Sequence, residues 1–254
     1  MFGNRNNGFE DERRYTQNRM IAEERAGNLE QRTALYLAKV MGWMCVGLLT
    51  TVVSAMATIR IPAIAVLVFG GGFGIMGVFI AQIALVLILS AGINRLSPGV
   101  ATVMFMAYSA LTGLTLSGFA LLYDLASLIL AFSVTTFLFL TMSVYGFVTR
   151  KDLTRIGRLA FFGLIGVIVA GFANLLLGSS MLDFGITVLG VVVFIGLIAY
   201  DTQNIKGIYQ NLALEGYDDD SPELRKLAII GALKLYLDFI NLFIMLLRLL
   251  GRRR

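Results

Sequence analysis

Seven stretches of this chain are apolar and nearly free of charge, at roughly 38–58, 73–93, 100–122, 126–148, 159–178, 185–205 and 227–249. A helix needs about 20 such residues to cross about 30 Å of hydrocarbon. Nothing but a helix or a closed barrel can satisfy its backbone polar groups there. No alternating apolar and polar pattern persists along the chain, so strands are not supported. The expected fold is therefore all-α: a polytopic membrane protein built as a seven-transmembrane-helix bundle. Composition agrees, with 57% hydrophobic and 15% charged residues and a mean hydropathy of +0.80. A soluble domain carries about 25% charged residues.

The expected organisation is a polar cytoplasmic tail over 1–34, a transmembrane domain over 35–251 and a basic tail over 252–254. The first apolar run follows 34 polar residues and is too long for a cleavable signal. Ser97-Pro98-Gly99 separates the second segment from the third, and Tyr123-Asp124 the third from the fourth. The longest connection is 207–226, with the acidic run Asp218-Asp219-Asp220. It ends in Ser221-Pro222-Glu223, which predicts a helix start with Ser as cap and Pro at the first position.

The net charge of +5 comes from basic residues scattered over loops and tails, which informs topology and does not mark a nucleic-acid surface. With the N-terminus inside, sixteen Lys and Arg fall on the cytoplasmic side and five on the other. That favours a cytoplasmic N-terminus. Four of the five outer charges, however, are Arg248, Arg252, Arg253 and Arg254. Either the early loops set the orientation, or the last segment does not fully cross. The chain has no histidine, and its single Cys45 lies in an apolar run and reads as a small buried hydrophobe.

Against this background two carboxylates stand out: Asp201 in GLIAYDTQNI and Asp238 in KLYLDFINLFIMLL. An ionisable group inside a span is costly and faces a protein interior or a wet cavity. Lys234, Asp238 and Asn241 sit at i, i+4 and i+7, on one face of the last helix. A helix apolar all round except for one polar stripe is surrounded by other helices, so 227–249 is expected innermost. A Lys234–Asp238 ion pair near the membrane edge is the plainer reading of that stripe. Asp201 is followed by Gln203, Asn204 and Lys206, and its plainer reading is a helix-end carboxylate at the headgroups. The sixth and seventh segments meet at one side of the membrane, which sets both carboxylates at similar depth. Two carboxylates close together in a low-dielectric site cannot both ionise freely and titrate as a pair. Deprotonated, they form a hard oxygen site suited to Ca²⁺. Arg95, ending the second segment on the same side, is either a positive-inside anchor or a latch to an aspartate.

The strings AYDTQNIK (199–206) and LYLDFINLFIMLLRLLG (235–251) resemble the two late-helix signatures of the Bax inhibitor-1 family. MAYSALTGLTLSGF (106–119) is similar to that family's third helix, and KVMGWMCVGLLTT (39–51) to the start of its bacterial members. The resemblance implies six helices around the seventh and a pH-sensing dyad at Asp201 and Asp238. It also implies a latch at Arg95, placed by its position relative to Gly113. It implies a pH-dependent calcium leak without enzymatic activity, or else regulation of a membrane-bound protease. The expected partners are thus the bilayer, calcium ions and a membrane protease; no cofactor is expected. An aspartyl protease reading is disfavoured: Leu235-Tyr236-Leu237-Asp238 stands where such enzymes carry Gly-x-Gly-Asp, and their Pro-Ala-Leu motif is absent.

Overall fold

The computed structural model describes the backbone of residues 6–92 and 95–252; most side chains before residue 26, and residues 253–254, lie outside the described residues. Eight helices follow in order: α1 (Asn6–Arg60), α2 (Pro62–Phe69), α3 (Gly72–Gly92), α4 (Pro98–Leu122), α5 (Leu125–Val148), α6 (Thr154–Leu177), α7 (Ser180–Leu214) and α8 (Pro222–Leu250). No strand occurs among the described residues. Seven of the helices are long and apolar enough to span a membrane, all but α2.

The turns are sharp because side chains cap the helix starts. Ser97 Oγ accepts a hydrogen bond from Val100 N and Asp124 Oδ1 one from Ser127 N. Ser179 Oγ accepts from Leu182 N. Ser221 Oγ accepts from Leu224 N, with Pro222 in the first turn, as its sequence predicts. α6 stops at Gly178, whose φ of 62° is the left-handed conformation that glycine adopts without strain.

Three differences from the sequence reading stand out. The polar stretch before residue 35 is continuous with the first span: from Asn6 onward it is the same 55-residue helix. A helix of that length is about 80 Å long, far more than the hydrocarbon requires. α2 is an additional short apolar helix. α7 continues to Leu214, so the last connection is confined to 215–221.

α8 is the centre of the bundle. Its buried residues run from Leu224 to Leu247 and include Asp238. It packs against α1, α4, α5 and α7, while α3 packs on α4 and α6 on α7. The outer helices present large apolar side chains outward, Phe73 and Leu176 among the most exposed. Small residues set the closest approaches, the usual device where helices meet in lipid. A Cβ on Gly113 of α4 would overlap the Thr51 carbonyl of α1, and one on Gly146 of α5 the Ala199 carbonyl of α7. One buried hydroxyl chain pins α8 in place. The Tyr236 hydroxyl is 2.6 Å from Thr51 Oγ1, which lies 3.0 Å from the carbonyls of both Gly47 and Ser109. Thr51 has one proton, which goes to a carbonyl, so Tyr236 donates to Thr51.

α8 crosses the bundle completely. Its start lies by the α7 end, and its last turn reaches the α4–α5 turn, where Arg252 N donates to Ser127 Oγ at 2.9 Å. α8 is also long and apolar enough for the full crossing that the first of the two alternatives requires.

Candidate functional site

α6, α7 and α8 enclose a cavity of about 560 Å³. Asp201 enters it from α7, and Lys234, Asp238 and Asn241 from α8. The i, i+4, i+7 stripe of the last helix thus faces this one space. The remaining wall is largely apolar, with Phe161, Phe162 and Leu164 from α6 and Phe194 and Leu197 from α7, and exposed Arg158 of α6 is its other charged residue. Gly157 of α6 seats the ring of Tyr200; a Cβ there would overlap the ring, so α6 and α7 are held together one residue from Asp201.

Asp238 is only 5% exposed, and its Oδ2 has no hydrogen-bond partner among the described residues. Asp201 and Lys234 are the charges close enough to act on it. Lys234 acts on Asp201 as well. The simple Lys234–Asp238 salt bridge is not formed, since no ion pair joins them among the described residues. Asn241 donates from Nδ2 to the Leu237 carbonyl at 2.8 Å, leaving its amide oxygen for the cavity. Thr202, beside Asp201, is also buried with an unpartnered hydroxyl.

Two of the expected residues lie elsewhere. Asn204 lines a small separate pocket with Tyr36, Ile205 and Lys234. Arg95 is exposed in the α3–α4 connection and forms no ion pair among the described residues. The expected latch to Asp201 is not made in this conformation, because α3 packs on α4 at the outside of the bundle. Lys234 is the cation beside Asp201 instead.

A second polar cluster, at the end of the bundle where α7 stops, was not legible as a unit in the sequence. Arg32 of α1 donates twice to Asp219, from Nε to Oδ2 at 3.1 Å and from Nη2 to Oδ1 at 3.0 Å. The Tyr209 hydroxyl donates to the same Oδ1 at 2.6 Å. Tyr36 stacks on Tyr209 with ring centroids 4.4 Å apart. Asp220 lies 3.8 Å from Lys39 and 3.5 Å from Arg225. The acidic run is therefore a clasp that ties the α7–α8 connection to α1. Asp219 is held below its ordinary carboxylate range, first by the Arg32 hydrogen bonds and further by that of Tyr209. Gln203 makes a similar tie to the α5–α6 loop: its Oε1 accepts from Leu153 N and its Nε2 donates to the Lys151 carbonyl, each at 2.8 Å.

Residues 33–254 match the family described as "Inhibitor of apoptosis-promoting Bax1". The chain is 45% identical over 241 residues to the inner membrane protein YbhL of Escherichia coli, covering 95% of this chain and 99% of that one. It is 44% identical over 219 residues to an uncharacterised protein of Borreliella burgdorferi, covering 86% and 92%. It is 42% identical over 219 residues to one of Rickettsia prowazekii, covering 86% and 90%. A helical bundle with seven apolar spans, matched to that family over all but its first 32 residues, belongs to the Bax inhibitor-1 family.

Proposed function

We propose that the protein is a pH-sensitive cation leak of the inner membrane, with calcium as its permeant ion and the Asp201–Asp238 pair as its gate. The observation that carries this reading is Asp238, a buried carboxyl whose Oδ2 is unpartnered among the described residues, facing a cavity that holds a second carboxyl and Lys234, with exposed Arg158 also in its lining. A purely structural carboxylate would have its oxygens satisfied.

Carboxylates facing each other away from water share a proton, and the pair titrates as one unit. Near neutrality the half-protonated pair balances the partly buried Lys234 in charge, while Arg158 in the same lining is exposed to solvent. Lys234 on α8 then attracts Asp201 on α7 and holds the two helices together at the cavity. Acidification adds the second proton, removes that attraction and lets the α7–α8 seam open. The pair and the Asn241 amide oxygen offer fewer oxygens than the about six to eight of a resident Ca²⁺. No group of three or more metal-ligating side chains occurs among the described residues. Such a site suits a passing cation.

Calcium uptake into dye-loaded proteoliposomes across pH tests this. The wild type should leak more as pH falls, and Asp201→Asn should leak at neutral pH and lose that dependence. A profile unchanged by Asp201→Asn, in folded protein, refutes the gate. One observation favours a second reading, regulation of a membrane-bound protease by contact: α1 extends well past the length a span needs, and the described side chains between Gln17 and Glu30 are largely exposed. Deleting residues 1–25 separates the two, since a contact regulator loses its partner while a leak keeps its flux. In both readings the N-terminus is cytoplasmic.

A further inference from the structure

On α8, Lys234, Leu237, Asn241, Met245 and Arg248 fall at i, i+3, i+7, i+11 and i+14, along one face that rises about 21 Å. Three cavities line up along that face. The carboxylate cavity takes Lys234, Leu237 and Asn241. A second, of about 310 Å³, takes Leu237 again, with Gln82 of α3 and Tyr108 of α4. A third, of about 780 Å³, takes Met245 and Arg248 and reaches Asp183 at the start of α7. Leu237 borders the first two cavities, and Phe79 the second and third.

Gln82 is the unexplained residue of this series. It lies midway along α3, the only amide of that span, and is 9% exposed. An amide side chain offers two donors and an oxygen with two lone pairs. Among the described residues one of these is used: Nε2 donates to Thr112 Oγ1 at 3.2 Å. Its Oε1 accepts from nothing there, yet the side chain lines the second cavity. An amide oxygen left open within hydrocarbon is costly, and a polar occupant of the cavity relieves that cost. At about 30 Å³ for each water, the space holds several. A cation crossing hydrocarbon needs oxygens that replace its hydration, and apolar side chains between them act as constrictions that dry out.

We propose that the three cavities form one cation route along α8, in which the Gln82 amide oxygen is a mid-depth station and the Leu237 side chain is the constriction between it and the carboxylates. The route rests on the leak reading above and adds the path that the ion takes beyond the Asp201–Asp238 pair.

Two measurements test it, one of which needs no flux. Cys45→Ala removes the native, exposed thiol. Single cysteines are then placed by Gln82→Cys and, on the outer face of α3 at nearly the same depth, by Ile80→Cys. A permanently cationic methanethiosulfonate attacks only hydrated thiols, so in proteoliposomes Gln82→Cys should react about tenfold faster than Ile80→Cys. In calcium flux, Leu237→Ala should raise the acid leak severalfold and Gln82→Leu should lower it severalfold, both without moving the pH midpoint that the carboxylates set. Equal reactivity of the two cysteines means a dry or lipid-filled cavity and overturns the route, whatever the fluxes. A reactive Gln82→Cys with both flux variants at the wild-type level also overturns it, since the water then lies off the path. In either case a leak that still responds to Asp201→Asn leaves the pH gate standing. A wild type with no pH-dependent leak refutes the gate and the route together.

Discussion

The protein holds two polar clusters of nearly the same make-up, each with a carboxylate, a basic side chain and neighbours able to hydrogen-bond. In the clasp, Asp219 accepts three hydrogen bonds and lies at a solvent-accessible end of the bundle. In the cavity, Asp238 is buried and keeps an orphaned oxygen. An exposed, saturated ion pair contributes little and does one thing, fixing a loop. A buried, unsatisfied carboxylate costs stability, which makes it the candidate for a functional role. The contrast picks out Asp238 as the candidate where charge alone would not.

The largest effect that would break this comparison is on flux. Asp201→Asn should raise calcium leak at neutral pH by about one to two decades, the range a latch of a few kcal/mol can move a two-state population. Asp238→Asn should mainly displace the pH midpoint, because Asp201 loses its like-charged neighbour. Proteoliposome flux at several pH values reads both. Clasp substitutions such as Asp219→Asn should leave the profile in place.

Stability should move with opposite sign at the two sites. Asp238→Leu removes a buried unsatisfied oxygen and should stabilise by about 1–3 kcal/mol. Asp219→Asn breaks the Arg32 pair and should destabilise by less than about 1 kcal/mol, since both partners are well exposed. Thermal unfolding in detergent measures each. A lower melting temperature for Asp238→Leu would make that residue a structural contact after all.

The aspartates were legible because lipid makes the rule strict: a carboxylate inside an apolar run needs a reason. Lys234, Asp238 and Asn241 were legible because helical spacing alone puts them on one face, and α8 does turn them to one cavity. Arg95 was not, because its place depends on how the outer helix α3 packs, and no local pattern encodes that. The clasp was invisible for a related reason. Arg32 and Asp219 are 187 residues apart, and their meeting follows from α1 continuing unbroken past the membrane edge and α7 running on to Leu214. Polar residues in such extensions look like solvated tail and loop until the helices are laid side by side.

A smaller effect sharpens the clasp itself. Asp219 titrates below its ordinary value of 3.8 in the folded protein. Its contribution is therefore complete above that unfolded value and is lost as pH falls through the folded one, so the window lies below about pH 4. Wild-type unfolding temperature should drop more steeply there than that of Asp219→Asn, which has nothing to lose. Parallel curves would show that the clasp adds no stability of its own.

The smallest expected effect belongs to Arg95→Ala. Arg95 is exposed and forms no ion pair among the described residues, whereas Lys234 shares the cavity with Asp201. If Lys234 supplies the charge that holds the gate, Arg95→Ala should change neither the neutral leak nor the pH midpoint, while Lys234→Met should raise the leak. The two substitutions remove the same unit of charge at different depths. Water and salt screen the outer one, and the cavity leaves the inner one strong. A rise in leak from Arg95→Ala as large as that from Lys234→Met would require a second closed arrangement, in which the α3–α4 connection turns inward and the arginine reaches Asp201. Flux measured at low and high ionic strength distinguishes the two, because an exposed arginine acting from outside loses its influence in salt and a buried latch keeps it.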